Sequence, residues 1–256
     1  PPDRLEARRR IMTPSRPDEE SPASKPGPGR AISGRHGLRE QDLLWADFLA
    51  LAASVVNSLE KSAQAIRDGR FDLIDEVENE EEDSYRREGL IEQECLRILA
   101  LYEPVASDLR RMATVLKVTR DWERIADLAL RVAQRARKLA RKHGGMAMPE
   151  GLKQLARDVL LQVRASYQAL ASQDVATARA VIGGDTAINV QYRALRKQFK
   201  TGLGQQPEQL DAWLELMNTA RNLERIADHA VGIARMVVYL EEGVIIRHMP
   251  SQRSAN

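Results

Sequence analysis

The residues with the clearest chemical potential lie in two identical acidic segments, each with the sequence Glu-Arg-Ile-Ala-Asp. The segments cover residues 123–127 and 224–228. On a helix, the glutamate and the aspartate of each segment are four residues apart and lie on nearly the same face, one turn apart. Two like charges in this relation repel each other, but their oxygens would suit a hard or borderline cation between them. The candidate metal ligands in the two segments are Glu123, Asp127, Glu224 and Asp228.

Two further carboxylates stand in apolar stripes of the helices that precede these segments. Glu81 and Asp185 each follow a valine by four residues, at matching places in the two halves of the chain. A carboxylate that faces a core is costly unless something compensates its charge. Glu81 and Asp185 therefore join the candidate ligands. Two alternatives explain the same pattern without a metal. The stripe can turn outward at this point, or an arginine can pair with the carboxylate.

The arginines beside these carboxylates support an interpretation without a metal. In both acidic segments one arginine precedes the glutamate by three residues, and a second arginine precedes the aspartate by three. Such pairs on a helix surface contribute about 0.2–0.5 kcal/mol each. Three hypotheses therefore stay open from these residues: a metal site, a metal-dependent hydrolase that uses the carboxylate clusters, and a metal-free helical scaffold. The sequence assigns no nucleophile or general base, which counts against the hydrolase.

Composition and residue counts exclude several other kinds of site. The chain has 256 residues, of which 43% are hydrophobic and 30% charged, and its formal net charge of +2 gives no strong field for nucleic acid. The single cysteine, Cys95, excludes a disulfide framework within the chain and fits a reducing compartment. Cys95 falls in an apolar stripe and is predicted to be a small core residue. None of the four histidines completes the Glu-x-x-His motif of ferritin-like di-iron proteins.

Six helices are predicted to position the carboxylates. Pro104, Pro149 and Pro207 each precede a long amphipathic run, and a proline in the first turn of a helix loses no hydrogen bond. Asp72 and Asp174 each follow a turn and stand where they can cap a helix. No strand pattern is convincing, so the predicted fold class is all-α. The predicted helices cover residues 39–68, 72–102, 104–142, 149–171, 174–201 and 207–242.

The helix signals recur in the same order in both halves, which predicts two tandem copies of a three-helix unit. We expect the first repeat to cover residues 35–145 and the second to cover residues 146–246. Residues 1–34 are rich in proline and arginine and poor in large apolar residues, so a disordered extension is predicted there, with a second disordered segment at 247–256. The extension lacks the apolar region of a secretory signal. No run of eighteen apolar residues predicts a transmembrane helix.

The repeated motifs resemble those of the PhoU family, which regulates phosphate uptake and signalling. The resemblance covers about residues 31–246. It is carried by the paired acidic segments, by residues 99–111 leading into Lys117, and by residues 181–185. It implies a pair of three-helix bundles.

The resemblance also implies multinuclear metal sites, with iron or zinc as the metal. The positions that match the family's acidic residues are Glu81, Asp121, Glu123, Asp127, Asp185, Glu224 and Asp228. Tyr85 and Asn189 stand where the family often has a second acid, and Asn222 stands where it often has aspartate. These departures remove carboxylate charge from both sites.

The function that the resemblance implies is that of a cytoplasmic adaptor without catalytic activity. It implies negative regulation of phosphate uptake and of the phosphate-starvation response. The implied partners are the ATPase subunit of the phosphate ABC transporter and a sensor histidine kinase, so that the protein would reach the membrane only through its partners. A homodimer is also expected, because long helices can leave an apolar stripe exposed.

Overall fold

The computed structural model describes residues 28–142 and 148–246, with side chains from residue 36 onward. The predicted disorder of residues 1–27 and 247–256 lies outside the described residues, and so does most of the predicted boundary at 143–148. Six helices make up the described part, which contains no strand. The helices are α1 (Pro28–Asp68), α2 (Ile74–Tyr102), α3 (Ala106–Lys142), α4 (Glu150–Ser172), α5 (Val175–Gln205) and α6 (Leu210–Glu242).

Local signals explain most of the helix ends. Asp174 caps α5, because its side chain accepts hydrogen bonds from the backbone N–H groups of Ala176 and Thr177. Gly243 ends α6 with φ of +71°, a left-handed conformation that favours glycine. Pro149 occupies the N-cap position of α4. These three ends are close to the predicted ones.

Several predicted helix ends were wrong. The helices α3 and α6 begin at Ala106 and Leu210, after the predicted starts at residues 104 and 207. Asp72 does not cap α2, because its carboxylate is held by Arg70 and the residue lies in a short 3-10 turn at Phe71–Leu73. The helix α5 continues through Gly202 to Gln205. Gly202 does not end the helix, and its lack of a side chain leaves space for the ring of Trp213. The backbone of α1 is helical from Pro28, so residues 28–34 are helix and not part of the predicted disordered extension. A proline in the first turn presets the helical φ.

The helices form two three-helix bundles that share one core. In the first bundle α1, α2 and α3 pack against one another, and in the second α4, α5 and α6 do the same. The bundles join where α3 packs along α6 and α1 packs along α4. The buried apolar side chains of both bundles belong to one continuous cluster. The predicted class, all-α with two tandem three-helix bundles, is therefore confirmed.

The helix α1 contains a long apolar segment and serves as a core helix of this assembly. The segment His36–Asp68 is the one described helix that is long and apolar enough to cross a membrane by length and composition. Its side chains Phe48, Leu51 and Val55 are buried between α2, α3 and α4. The same packing buries Cys95 in α2 and Trp122 in α3. Cys95 is a core residue, as predicted.

Candidate functional site

The first group of predicted ligands comes together on the facing surfaces of α2 and α3. Glu81 of α2 is partly buried, and burial together with the nearby carboxylates of Asp127 and Glu123 raises the pKa of Glu81. Burial and the charge of Glu123 likewise raise the pKa of Glu88, against the opposing effect of two arginines. The charges of Glu123 and Asp127 on α3 thus act on Glu81 across the interface with α2. We call Glu81, Glu123 and Asp127 the first carboxylate cluster.

The second group comes together on α5 and α6 in the same way. Burial and the neighbouring charge of Asp228 raise the pKa of Glu224, and Asp185 of α5 acts in the same direction. Arg221 and Arg225 partly offset this effect. Asp185, Glu224 and Asp228 form the second carboxylate cluster. Each cluster thus combines one acid from the second helix of its repeat with the two acids of the repeated segment.

Three of the cluster carboxylates, Glu123, Asp127 and Asp185, contact polar side chains of the protein. Asp127 accepts a hydrogen bond of 2.8 Å from Nε of Arg131, one turn further along α3. Asp185 accepts a bond of 2.8 Å from the amide of Asn189, and Nε of Arg124 lies 3.3 Å from Oε2 of Glu123. Within residues 28–142 and 148–246, no three His, Cys, Asp or Glu side chains form a group that could hold a metal ion. The oxygen donors fit a hard cation in their chemistry, but their placement in this structure does not form its site.

The remaining predicted ligand, Asp121, lies at the junction of the two repeats. Its Oδ1 is 2.9 Å from Nδ1 of His229 on α6. Gly232 of α6 lies beside this pair, and a Cβ added there would be in ordinary van der Waals contact with Oδ2 of Asp121, at 3.4 Å. Asp121 therefore has an inter-repeat contact with α6 that its predicted role as a ligand did not include.

A second polar link between the repeats was not predicted from the sequence. Glu215 of α6 is 8% exposed and accepts hydrogen bonds from Arg135 and Lys138 of α3, the former at 2.6 Å. Burial alone would raise the pKa of Glu215, but the hydrogen bonds from the two basic residues outweigh burial and lower it. Arg135 and Lys138 are 80 and 77 residues from Glu215 along the chain. No local sequence pattern could have connected them.

Each repeat also has a groove beside its carboxylate cluster, between its second and third helices. The groove between α2 and α3 has a volume of about 240 Å³, and the groove between α5 and α6 has a volume of about 670 Å³. Both contain the glutamate of the repeated segment and the two arginines that flank it. The first groove is lined in addition by Tyr85, Glu88, Glu92, Leu116 and Thr119. The second is lined in addition by Tyr192, Arg196, Phe199, Met217, Asn218 and Ala220.

The grooves occupy equivalent places but differ in charge. Glu88 and Glu92 follow Glu81 by seven and eleven residues, and Tyr192 and Arg196 follow Asp185 by the same numbers. The first groove therefore has three glutamates against two arginines, whereas the second has one glutamate against three arginines. Neither Tyr192 nor Arg196 was predicted to be a site residue. Aligning the repeats on their acidic residues would have revealed the exchange.

Comparisons with known proteins agree with this architecture. The sequence model of the PhoU domain matches the chain twice, at residues 48–136 and 152–237. A phosphate-specific transport system accessory protein PhoU homolog from Pseudomonas putida is 31% identical over 206 residues, which are 80% of each chain. A protein of the same description from Deinococcus radiodurans is 31% identical over 76% of this chain and 91% of its own.

Two solved structures have the same fold as this chain. The crystal structure of PhoU from Pseudomonas aeruginosa superposes with a TM-score of 0.77 at 29% identity, covering 80% of this chain and 99% of that one. The phosphate transport system regulatory protein PhoU from Streptococcus pneumoniae superposes with a TM-score of 0.75 at 26% identity, covering 83% of this chain and all of that one. Two domain matches, one in each three-helix bundle, and relatives matched over most of their length show that the chain belongs to the PhoU family.

Proposed function

We propose that the protein is a non-enzymatic, cytoplasmic regulator of phosphate homeostasis that acts by contact with the phosphate ABC transporter and its sensor histidine kinase. The observation that carries the proposal is the pair of PhoU-domain matches, which together span both helical bundles. Relatives that match over most of their length are phosphate-specific transport system accessory proteins. The expected effect is negative regulation of uptake and of the starvation response.

An exposed apolar region at one end of the molecule supports a role through protein contacts. The start of α1 meets the end of α2 there, since a Cβ added to Gly37 would lie 3.0 Å from the ring of Tyr102. The start of α3 meets the end of α6, since Nε of Arg110 donates to the carbonyl of Leu240 at 3.0 Å. Exposed apolar patches of this kind are typical of contact surfaces. We call the following exposed residues the end surface: Leu38, Leu101, Val105, Leu109, Val244 and Ile245.

We propose that the end surface contacts the ATPase subunit of the transporter. The test is affinity capture of the tagged full chain from cells grown at high and at low phosphate. The wild type should recover the ATPase subunit, and the double variant Leu101→Asp, Val105→Asp should lose it. Both side chains are more than 60% exposed, so the variant should remain folded. Leu161→Asp is the matched control, because Leu161 is 60% exposed but lies on α4.

The regulatory role itself has a separate readout. Deletion of the gene should raise expression of a phosphate-starvation reporter in phosphate-rich medium, and the wild-type chain should restore repression. Full repression in the deletion strain, or failure to recover a transporter or sensor subunit at either phosphate level, would count against the role. Light scattering of the purified chain tests the proposed homodimer, for which a monomeric mass at micromolar concentration is the contrary result.

We also propose that the two carboxylate clusters bind iron or zinc once the contacts of Asp127 with Arg131 and of Asp185 with Asn189 are released. The support is that burial and the charges of nearby carboxylates raise the pKa of Glu81 in the first cluster and of Glu224 in the second. The test is elemental analysis of protein purified without chelator. Stoichiometric metal in the wild type should vanish in the double variant Asp127→Ala, Asp228→Ala. An equal, substoichiometric trace in both proteins would support a metal-free scaffold.

A further inference from the structure

The groove between α5 and α6 is the larger of the two grooves described above, and its charged lining is mostly basic. At about 670 Å³ it falls in the range of small-molecule sites. Arg221 and Arg225 lie one turn apart on α6, and Arg196 lies on the facing helix α5. The three guanidinium groups thus line one cavity from two sides.

These arginines are not held in ion pairs by the carboxylates of the described residues. Among the described residues, none of the three forms an ion pair with an N···O distance within 4 Å, although Arg221 and Arg225 act on Glu224 electrostatically. In the equivalent groove of the first repeat, by contrast, Arg124 is paired with Glu123 at 3.3 Å. The second groove therefore presents guanidinium N–H donors that form no ion pair with a carboxylate in the described part of the chain.

The chemistry of the groove favours a phosphoryl group. A guanidinium offers a planar fork of N–H donors that matches the oxygens of phosphate, and such charge-assisted bonds are about twice as strong as neutral ones. With one glutamate and three arginines, the lining has a net charge of +2. Tyr192 adds a flat ring and a hydroxyl group on the α5 side, and the volume exceeds what one phosphate ion needs.

We propose that the groove between α5 and α6 binds a small phosphate-bearing anion through Arg196, Arg221 and Arg225. Inorganic phosphate, pyrophosphate and a nucleoside triphosphate share the required chemistry. The first-repeat groove should not bind these anions, since Glu88 and Glu92 replace the tyrosine and the arginine there. The proposal concerns a property of the isolated protein, so its failure would leave the regulatory role unaffected.

The test is isothermal titration calorimetry of the purified full chain at low ionic strength with each of the three anions in separate titrations. We expect saturable binding of at least one anion at one site per chain, weakened by added salt. Loss of a bidentate contact from Arg196 is expected to weaken binding by about tenfold or more, so Arg196→Gln should show this loss and Arg196→Lys a smaller one. Glu92→Arg is the matched control at the equivalent position of the first groove, and it should not weaken binding.

The comparison among anions identifies the source of the phosphoryl group. Equal affinity for phosphate and pyrophosphate would indicate a single phosphoryl subsite, and a higher affinity for ATP would indicate that the base also contacts the groove. Because Arg196 is exposed, its variants should unfold at the same denaturant concentration as the wild type, which separates lost binding from lost folding.

Three results would overturn the proposal. The first is the absence of binding for all three anions up to millimolar concentration. The second is an unchanged affinity in Arg196→Gln. The third is arginine-dependent binding of a phosphate-free peptide rich in aspartate and glutamate together with no binding of the three anions, which would assign the groove to an acidic protein segment.

Discussion

The buried ion pair of Glu215 offers a direct test of what holds the two repeats together. Glu215 of α6 accepts hydrogen bonds from Arg135 and Lys138 of α3, and its side chain is 10% exposed. Hydrogen bonds to charged groups contribute about 1.5–3 kcal/mol each when fully buried. Arg135 and Lys138 are 31% and 49% exposed, so solvent screens both bonds and the basic groups can be hydrated again after the acid is lost.

We therefore expect Glu215→Gln to lower the free energy of unfolding by about 2 kcal/mol, which is less than the about 3–5 kcal/mol of a fully buried broken pair. With an m-value on the order of 3 kcal/mol/M in urea, the midpoint should fall by roughly 0.7 M. The matched control is Glu60→Gln. Glu60 pairs with Arg164 at 2.6 Å and also joins the repeats through α1 and α4, but both side chains are about 40% exposed. An exposed pair of this kind contributes about 0–1 kcal/mol.

The pH dependence of this difference gives an independent check. The pKa of Glu215 in the folded protein is lowered from its ordinary value of 4.5. A carboxyl group with a lowered folded-state pKa adds stability above its unfolded pKa, and this stability is lost as the pH falls through the folded-state pKa. The gap in unfolding midpoint between the wild type and Glu215→Gln should therefore narrow below pH 4.5. If Glu215→Gln and Glu60→Gln lower the free energy of unfolding equally at neutral pH, burial is not what makes the ion pair of Glu215 the stronger of the two.

Three further predictions concern other parts of the core and the second cluster. Burial and the charge of Asp228 raise the pKa of Glu224, so ionisation of Glu224 lowers the stability of the folded protein as the pH rises above 4.5. Glu224→Gln should therefore raise the urea midpoint at neutral pH. An unchanged or lower midpoint would contradict the raised pKa. Burial raises the pKa of the Cys95 thiol to about 11, so mass spectrometry should find this cysteine alkylated by iodoacetamide only after denaturation. Gly202→Ala would overlap the ring of Trp213 and should cost about 1–3 kcal/mol in urea unfolding. The control is Gly184→Ala in the same helix, because a Cβ added there would meet no atom within 4 Å. This substitution should raise the free energy of unfolding by about 0.5–1 kcal/mol. Similar effects of the two substitutions on the free energy of unfolding would contradict the prediction.

The helices and their pairing into repeats follow from local signals. Apolar stripes at helical spacing mark which face is buried, and a proline or a capping aspartate marks where a helix begins. Asp174 behaves in this way, but Asp72 does not, because Arg70 competes for its carboxylate. A cap depends on which partner a short polar side chain finds, and the sequence shows both candidates without their geometry. The α5 end was predicted wrongly because Gly202 was interpreted as a helix stop. The glycine instead lies within the helix and allows a close contact with the ring of Trp213, which the local sequence does not show.

The candidate sites were predictable only where they repeat. The acids Glu81 and Asp185 were found because each stands at a matching place before a repeated segment, and the structure brings each into the neighbourhood of that segment. The pair partners of Glu215 and Asp121 were not found, because these contacts join α3 to α6 and have no counterpart in the repeat. Contacts between the two copies cannot be inferred from the features that the copies share.

Duplication followed by divergence accounts for the difference between the two grooves. The fold fixes the same two helix faces in each repeat, so that a glutamate and two arginines of the third helix always line the groove. What remains free to vary is the second helix, where Glu92 in one copy corresponds to Arg196 in the other. Both positions are at the surface, so neither charge is required for folding. A reversal of charge at one wall, on a scaffold that keeps the other wall constant, changes what a groove can bind without changing how the protein folds. For that reason Arg196, and not the arginines common to both repeats, is the residue whose replacement separates an anion site from a structural groove.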